Sequence, residues 1–158
     1  MWTNFFSAVA GAAATLTGLI FVGVSISLAR ILSIPSLPDR ALQSLMLLGT
    51  VLITSLLYLV PGQSIRLLGI ELFLIGILAW PIALKLDLGM LRNSNSLYKG
   101  KFRLNMLLTQ LAVLPYIVAG TIAICRGPKG LYWLVPGLLF SFAKAVLDAW
   151  VLLVEINR

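Results

Sequence analysis

Two oppositely charged side chains, Lys144 and Asp148, are four residues apart inside a long apolar stretch. Residues at positions i and i+4 lie on the same face of a helix, so these two can form an ion pair. Lys144 lies about 20 Å from the start of its stretch, which is near the middle of a bilayer. A lipid-facing charge at this depth costs about 2.5–3.5 kcal/mol. We therefore expect Lys144 to point into a helix bundle, with Asp148 as its partner and Glu71 as the second candidate.

These three charged residues admit two interpretations. A buried ion pair can be structural and fix the register between packed helices. Ionisable groups inside a membrane can equally form an ion path, a proton path or a site for an anionic group. The sequence leaves both interpretations open.

Other residue types that carry chemistry are scarce. The chain has no histidine, which excludes imidazole as a general base, proton shuttle or metal ligand. The single cysteine, Cys125, cannot form an internal disulfide or a thiolate cluster. Asp39 and Asp87 are expected in loops, away from the membrane depth that a paired-aspartate protease requires. We therefore expect no enzyme, no metal site and no cofactor.

Five apolar stretches must position the charged residues. The chain has 158 residues, of which 60% are hydrophobic and 11% charged, whereas soluble domains contain about 25% charged residues. Each stretch has about 20 residues or more, enough for a helix to cross a hydrocarbon layer of about 30 Å. The sequence predicts an all-α, polytopic transmembrane helix bundle, a single domain over residues 1–158 with no soluble domain. The predicted spans are about 5–29, 41–60, 65–84, 106–125 and 131–154.

Basic residues are distributed unequally between the two sides of these spans. Arg66, Arg126 and Lys129 fall on one side, and eight basic residues fall on the other. Because Lys and Arg in short loops are retained in the cytoplasm, we predict an outside N-terminus and a cytoplasmic C-terminus. The net charge of +7 then reflects topology rather than nucleic-acid binding. The side predicted to be cytoplasmic carries Arg30, Arg40, Lys85, Arg92, Lys99, Lys101, Arg103 and Arg158.

The longest connection between predicted spans, residues 85–105, is basic. A basic segment beside a membrane is attracted to anionic headgroups by about 1 kcal/mol for each nearby Lys or Arg. We expect this loop to lie on anionic lipid headgroups, with binding of a protein partner as the alternative.

The first predicted span contains a stripe of small residues on one helix face. Lipid provides no hydrophobic force between helices, so helices associate where small residues let their backbones approach. We expect this stripe to be a helix-packing interface within the chain, with a contact between protomers or a pore wall as alternatives. Its residues are Ser7, Gly11, Ala14, Gly18 and Ser25.

Three predicted spans contain an internal proline: Pro81, Pro115 and Pro136. Proline removes a backbone donor and clashes with the preceding turn of a helix. We therefore expect kinks at these positions, which can open cavities between helices.

Two apolar segments resemble a known family. GLIFVGVSI at residues 18–26 and DAWVLLVEI at residues 148–156 are similar to segments of small bacterial membrane proteins labelled "modulator of FtsH protease". The order of the apolar stretches is similar over nearly the whole chain. The resemblance implies a bacterial inner-membrane protein that acts by contact with FtsH, a membrane-anchored, ATP-driven protease. It brings no catalytic residues with it.

Two functions follow as expectations. The first is a non-enzymatic membrane protein that acts by helix contacts on a partner membrane complex, as a subunit of that complex or as a homo-oligomer. The second is a homo-oligomeric ion channel or small transporter that uses the charges of Lys144, Asp148 and Glu71 inside the membrane.

Overall fold

The chain folds into long helices. The computed structural model describes residues 2–34, 36–92 and 99–156, without the side chains of residues 99, 101, 102 and 156. Four helical stretches in these ranges are long and apolar enough to cross a membrane, and the 53 residues of the fourth, Arg103–Glu155, include two helices. The helices are α1 (Trp2–Ile26), α2 (Leu28–Ser33), α3 (Leu37–Tyr58), α4 (Ile65–Arg92), α5 (Lys99–Arg126) and α6 (Gly130–Ile156), and no strand occurs in the ranges given.

Four helices, α3 to α6, form a closed bundle. Each packs against the next, and α6 returns to α3. Successive helices are antiparallel, because short connections at 59–64 and 127–129 turn the chain back on itself. We call the end where α3 and α5 begin the basic end, since the exposed side chains of Lys85, Arg92 and Arg103 lie there. The other end is called the opposite end.

Glycine and serine shape the two turns at the opposite end. Gly62 has φ 73° and Gly127 has φ 66°, the left-handed region that favours glycine. Ser64 Oγ accepts the backbone N–H of Leu67 at 3.2 Å, which satisfies one of the free donors at the start of α4. The chain therefore reverses within a few residues at both places.

The bundle interior contains three clusters of buried apolar side chains. The cluster at the opposite end includes Leu72, Tyr116 and Leu134. The cluster at the basic end includes Ile31 of the short helix α2, which packs beside Leu152. The middle cluster lies between them and fills the bundle with small and branched side chains from three helices: Leu47, Ala79, Ala83, Ala112 and Val113.

Helix α1 lies outside the closed bundle and packs against α3. The ring of Phe6 stacks on that of Tyr58 with centroids 4.1 Å apart. The ring of Trp2 meets that of Tyr132 edge-on at 5.1 Å, so aromatic contacts hold the N-terminal half of the helix. The buried residues of α1 are Phe6, Ala10 and Ala13.

Each predicted span overlaps one of the five long helices, although the first, 5–29, runs past the end of α1 into α2. The predicted connection over residues 85–105 is wrong at both ends. Helix α4 continues to Arg92 and α5 begins at Lys99, while residues 93–98 lie outside the described part. Helical spacing explains the extension, because Ala83, Asp87 and Met90 place three buried side chains on one face of α4. The basic side chains of Lys85 and Arg92 are exposed on α4, and a count of apolar residues does not distinguish such a helix end from a loop.

Candidate functional site

The bundle interior near the basic end contains a connected set of polar side chains from all four helices. The Arg40 side chain is 14% exposed, and every other member is at most 9% exposed. Buried polar groups at this depth require partners, because lipid and apolar side chains offer none. We call this set the polar cluster: Arg40 and Gln43 of α3, Asp87 of α4, Asn105 and Thr109 of α5, and Lys144 and Asp148 of α6.

Lys144 and Asp148 form the centre of the polar cluster. The Lys144 ammonium donates to Asp148 Oδ2 and, at 3.1 Å, to Gln43 Oε1. Arg40 Nη1 lies 3.3 Å from Asp148 Oδ1, so each carboxylate oxygen of Asp148 accepts from a different cation. Removing one member of such a buried pair leaves the other charge uncompensated, which is strongly destabilising.

Asp87 accepts hydrogen bonds on one oxygen. Its Oδ1 accepts from Gln43 Nε2 at 2.9 Å, from Asn105 Nδ2 at 3.2 Å and from Thr109 Oγ1 at 3.4 Å. Its Oδ2 is buried and has no hydrogen-bond partner among the described residues. The three donors come from α3 and α5, so Asp87 connects α4 to both neighbouring helices.

Gln43 connects the two halves of the polar cluster. Its Oε1 accepts from the Lys144 ammonium, and its Nε2 donates to Asp87 Oδ1 and, at 3.2 Å, to Thr109 Oγ1. The orientation of the amide follows from these neighbours, because an ammonium requires an oxygen and a carboxylate requires an N–H. One amide therefore links the Lys144–Asp148 pair to Asp87.

Apolar packing separates the polar cluster from the opposite end. The middle cluster of small and branched side chains lies next to it, and beyond that Tyr116 Oη lies 3.3 Å from Ser141 Oγ. Gln63 Nε2 donates to Glu71 Oε2 at the opposite end, beyond the apolar cluster that includes Leu72 and Tyr116. The polar cluster is thus closest to water at the basic end, where Arg40 is partly exposed.

The structure brings together two of the three predicted charged residues. Lys144 and Asp148 are in direct contact, whereas Glu71 is bonded to Gln63 near the start of α4 and is not a partner of Lys144. The choice of Glu71 as second candidate is therefore wrong. The physical reason is depth, since Glu71 lies near the opposite end and Lys144 lies toward the basic end.

Sequence reasoning missed most of the polar cluster. Asp87 is buried inside α4 rather than placed in a loop, and Arg40 and Gln43 lie only a few residues into α3. A signal was present, because Ala79, Ala83 and Asp87 follow at intervals of four and so share one helix face.

The small-residue stripe of α1 is exposed. Its residues Ser7, Gly11, Ala14, Gly18 and Ser25 are all accessible, and a Cβ built on Gly11 or Gly18 meets no atom within 4 Å. The expected packing within the chain is therefore wrong. The buried face is centred about 100° away around the helix, because the aromatic contacts of its N-terminal half set the orientation of α1.

A close contact between helices over glycine occurs instead between α4 and α5. A Cβ on Gly120 would lie 2.6 Å from the backbone nitrogen of Phe73 and 2.8 Å from the carbonyl oxygen of Gly69. A Cβ on Gly76 would lie 2.6 Å from Ile117 Cγ1 and 3.0 Å from its backbone nitrogen. These glycines let the two backbones touch, which is how helices pack tightly in lipid.

The three prolines lie inside helices that continue through them, Pro81 in α4, Pro115 in α5 and Pro136 in α6. Pro115 contacts the neighbouring helix, because a Cβ on Gly137 would lie 3.0 Å from its Cβ. Kinks at the three positions stay a prediction.

Comparisons with protein-family models, with curated proteins and with solved structures found no match to this chain. The arrangement of the chain's own residues is therefore the basis for any functional conclusion.

Proposed function

We propose that this chain is an integral membrane protein that acts by helix contacts on a partner membrane complex, and that α1 is the contacting helix. The observation that carries the proposal is the open small-residue stripe of α1, beside a four-helix bundle that closes without it. A helix that the fold does not need for closure is available for a contact outside it.

The local geometry of α1 supports a transmembrane helix as the element of the partner that packs on the stripe. No atom lies within 4 Å of a Cβ built on Gly11 or Gly18, so a second backbone has room to approach. The buried α4–α5 contact shows how closely helices of this chain approach over glycine. A partner helix would gain the same van der Waals proximity on α1, which lipid chains cannot provide as well.

An apolar cleft lies on a different face of α1 from the stripe, toward the basic end. It has a volume of about 240 Å³ and separates the C-terminal half of α1 from α6. Ile20 and Val24 line one side, and Ala149 and Leu152 line the other. No stripe residue lines this cleft, so a partner helix on the stripe leaves the cleft free.

The resemblance to small bacterial proteins labelled "modulator of FtsH protease" supports the FtsH protease as the partner and the bacterial inner membrane as the location. The excess of Lys and Arg at the basic end supports a cytoplasmic C-terminus and an outside N-terminus, with anionic headgroups around Lys85, Arg92 and Arg103. Reporter fusions test the topology. A fusion after Lys129 should report the outside, and one at the C-terminus should report the cytoplasm.

Site-specific crosslinking tests the contact. In a Cys125→Ser background, Gly18→Cys places a thiol on the stripe. Leu78→Cys is the matched control, because Leu78 is 65% exposed at a similar depth on α4, away from α1. In bacterial membranes, Gly18→Cys should form an adduct that contains the FtsH protease, and Leu78→Cys should not. Equal adducts at both positions, or none at residue 18, would contradict the proposal, and an adduct between two copies would replace the partner with a second copy.

The polar cluster favours a second candidate function, an ion channel or small transporter. Ionisable groups inside membrane bundles frequently line ion or proton paths, and four of them meet here. Flux measurements in liposomes test this candidate. The unmodified protein should conduct, and a Lys144→Met, Asp148→Leu variant should not, whereas absence of flux from the unmodified protein would remove the candidate.

A further inference from the structure

Asp87 differs from the other acidic member of the polar cluster in its partners. Asp148 contacts two cations, Lys144 and Arg40. The groups that donate to Asp87 Oδ1 are neutral: the amides of Gln43 and Asn105, and the hydroxyl of Thr109, whose single proton is also within reach of the Asn105 backbone oxygen at 3.0 Å. Within the part of the chain that the structure describes, its Oδ2 has no hydrogen-bond partner, although the residue is only 3% exposed.

A buried carboxyl group whose contacts are all neutral costs less to bury in the protonated form than in the ionised form. An ionised carboxylate shares its charge between two oxygens, and both act as acceptors. A protonated carboxyl group has one carbonyl oxygen that accepts and one hydroxyl oxygen that carries the proton. Oδ1, which accepts from two amides, then corresponds to the carbonyl oxygen, and Oδ2, which no donor reaches in the described part of the chain, is the position left for the proton.

A proton on Asp87 would change how Asp87 interacts with the neighbouring charged groups. With all four groups ionised, the polar cluster has two positive and two negative charges, yet both cations contact the same carboxylate. Gln43 bonds both the Lys144 ammonium and Asp87. An ionised Asp87 would therefore compete with Asp148 for the ammonium, and a protonated Asp87 would not.

We propose that Asp87 Oδ2 is a proton-binding site, and that the proton bound there decides whether the Lys144 ammonium stays on Asp148 or moves toward Asp87. The proton comes from water at the basic end and forms an O–H bond on Oδ2. The polar cluster then changes from neutral to a single positive charge. This inference goes beyond the proposed function and does not depend on the partner of α1.

The groups that face Asp87 are few. Helix α5 contributes the neutral side chains of Asn105 and Thr109. Helix α6 contributes the charges of Lys144 and Asp148. Helix α3 contributes Arg40, and also Asp39, whose Oδ2 lies 3.4 Å from where a Cβ on Gly89 would be. A pH-dependent signal from this region can therefore come from four groups: the three aspartates of the chain, Asp39, Asp87 and Asp148, and Lys144.

Infrared spectroscopy of the full chain in detergent tests the site directly. A protonated buried carboxyl group gives a separate C=O stretching band, which should disappear as the pH rises. The Asp87→Asn variant should lack this band entirely. Glu71→Gln is the matched control, because it removes a hydrogen-bonded carboxyl group at the opposite end, and it should retain the band.

Labelling of the unmodified protein keeps the test decisive if Asp87→Asn does not fold. Incorporation of ¹³C-aspartate should shift the band, and the shift should persist in Asp39→Asn and in the Lys144→Met, Asp148→Leu variant, which together exclude the other two aspartates. A band that is unchanged by the label, or that remains in Asp87→Asn, would overturn the proposal. A change produced by sodium at constant pH, with no response to pH, would overturn it as well, since the bound ion would not be a proton.

A double-mutant cycle tests the role of Lys144. Melting temperatures are compared for the unmodified chain, Lys144→Met, Asp87→Asn and the double variant, above and below the pH at which the band disappears. The two substitutions should be non-additive at high pH, where Asp87 competes for the ammonium, and additive at low pH. Additivity at both pH values would contradict a movement of Lys144 toward Asp87.

Discussion

Two helices of this protein carry small residues on one face, and the structure uses the two faces in opposite ways. On α4, Gly69, Gly76 and Ala79 are buried against the backbone of α5. On α1, Gly11 and Gly18 follow a similar spacing and contact nothing within 4 Å. Small-residue spacing therefore indicates that a helix can be approached closely, but it does not indicate by which helix.

The difference comes from what the neighbouring helix offers. Helix α5 presents its own small residues to α4, including Ala119, Gly120 and Ala123. Two helix faces made of small residues therefore meet. Helix α3 meets α1 partly through the ring of Tyr58, which stacks on Phe6 and turns the small face of α1 outward. Helix contacts in lipid depend on shape, and the bulkier aromatic contact determines the orientation here.

The largest expected effect is that of Gly120→Leu on the buried contact. Even a Cβ at this position would lie 2.6 Å from a backbone nitrogen of α4, so a leucine must force the two helices apart. Little folded, monodisperse protein should be recovered by size-exclusion chromatography in detergent. Gly49→Leu is the matched control, because a Cβ on Gly49 meets nothing within 4 Å, and it should fold. Normal recovery of Gly120→Leu would show that the α4–α5 contact is looser than described.

A smaller but still large effect is expected in the polar cluster. Asp87, on the buried face of α4, belongs to this cluster. Lys144→Met removes one of the two cations on Asp148 and should lower the free energy of unfolding by about 3 kcal/mol. Adding Asp148→Leu should restore part of this loss, and only part, because Arg40 and Gln43 each lose a contact as well. Thermal unfolding in detergent measures both values. Full recovery in the double variant would mean that the contacts to Arg40 and Gln43 contribute nothing.

Gly18→Leu should have almost no effect on the isolated chain. The added side chain meets open space, so the free energy of unfolding should change by no more than about 0.5 kcal/mol. Association with a partner should decrease, since the leucine occupies the position of the approaching backbone. Co-purification measures the association and thermal unfolding measures the stability. Gly23→Leu is the control, because Gly23 is also exposed on α1 but lies about 140° around the helix. A loss of stability in Gly18→Leu would show that the stripe packs within the chain.

The smallest expected effect is that of Gly11→Ala. The substitution adds one methyl group in open space and favours the helix, so stability should be unchanged or rise by less than about 1 kcal/mol. Thermal unfolding measures it beside Gly76→Ala, whose Cβ would lie 2.6 Å from Ile117. Equal melting temperatures for these two alanine variants would contradict the difference between the two faces.

The sequence alone was enough to predict the helices and one contact of the polar cluster. Stretches of about 20 apolar residues define membrane helices, because a bilayer has a fixed thickness. The contact between Lys144 and Asp148 follows from their spacing on a single helix. Both inferences use only the geometry of one helix.

The remaining members of the polar cluster come from other helices, and this is why the sequence did not reveal them. Gln43, Asp87 and Asn105 each lie near a helix end, where a polar residue is also typical of a loop. Which faces meet depends on helix rotation, and that is set by contacts such as the stacking of Phe6 on Tyr58. The open face of α1 was misassigned for the same reason.

The position of each charge along its helix also affects how the chain enters a membrane during synthesis. Lys144 and Asp148 lie deep in α6, but they pair within that helix, so α6 can cross the bilayer before any neighbour is in place. Asp87 has no such partner on α4, yet it is five residues from Arg92, about 7.5 Å from the helix end, and can reach the headgroup region. Because α5 and α6 follow α4 from the ribosome, the donors to Asp87 from α5 arrive before α6 completes the bundle. Each charge thus has a partner or water at every stage of insertion.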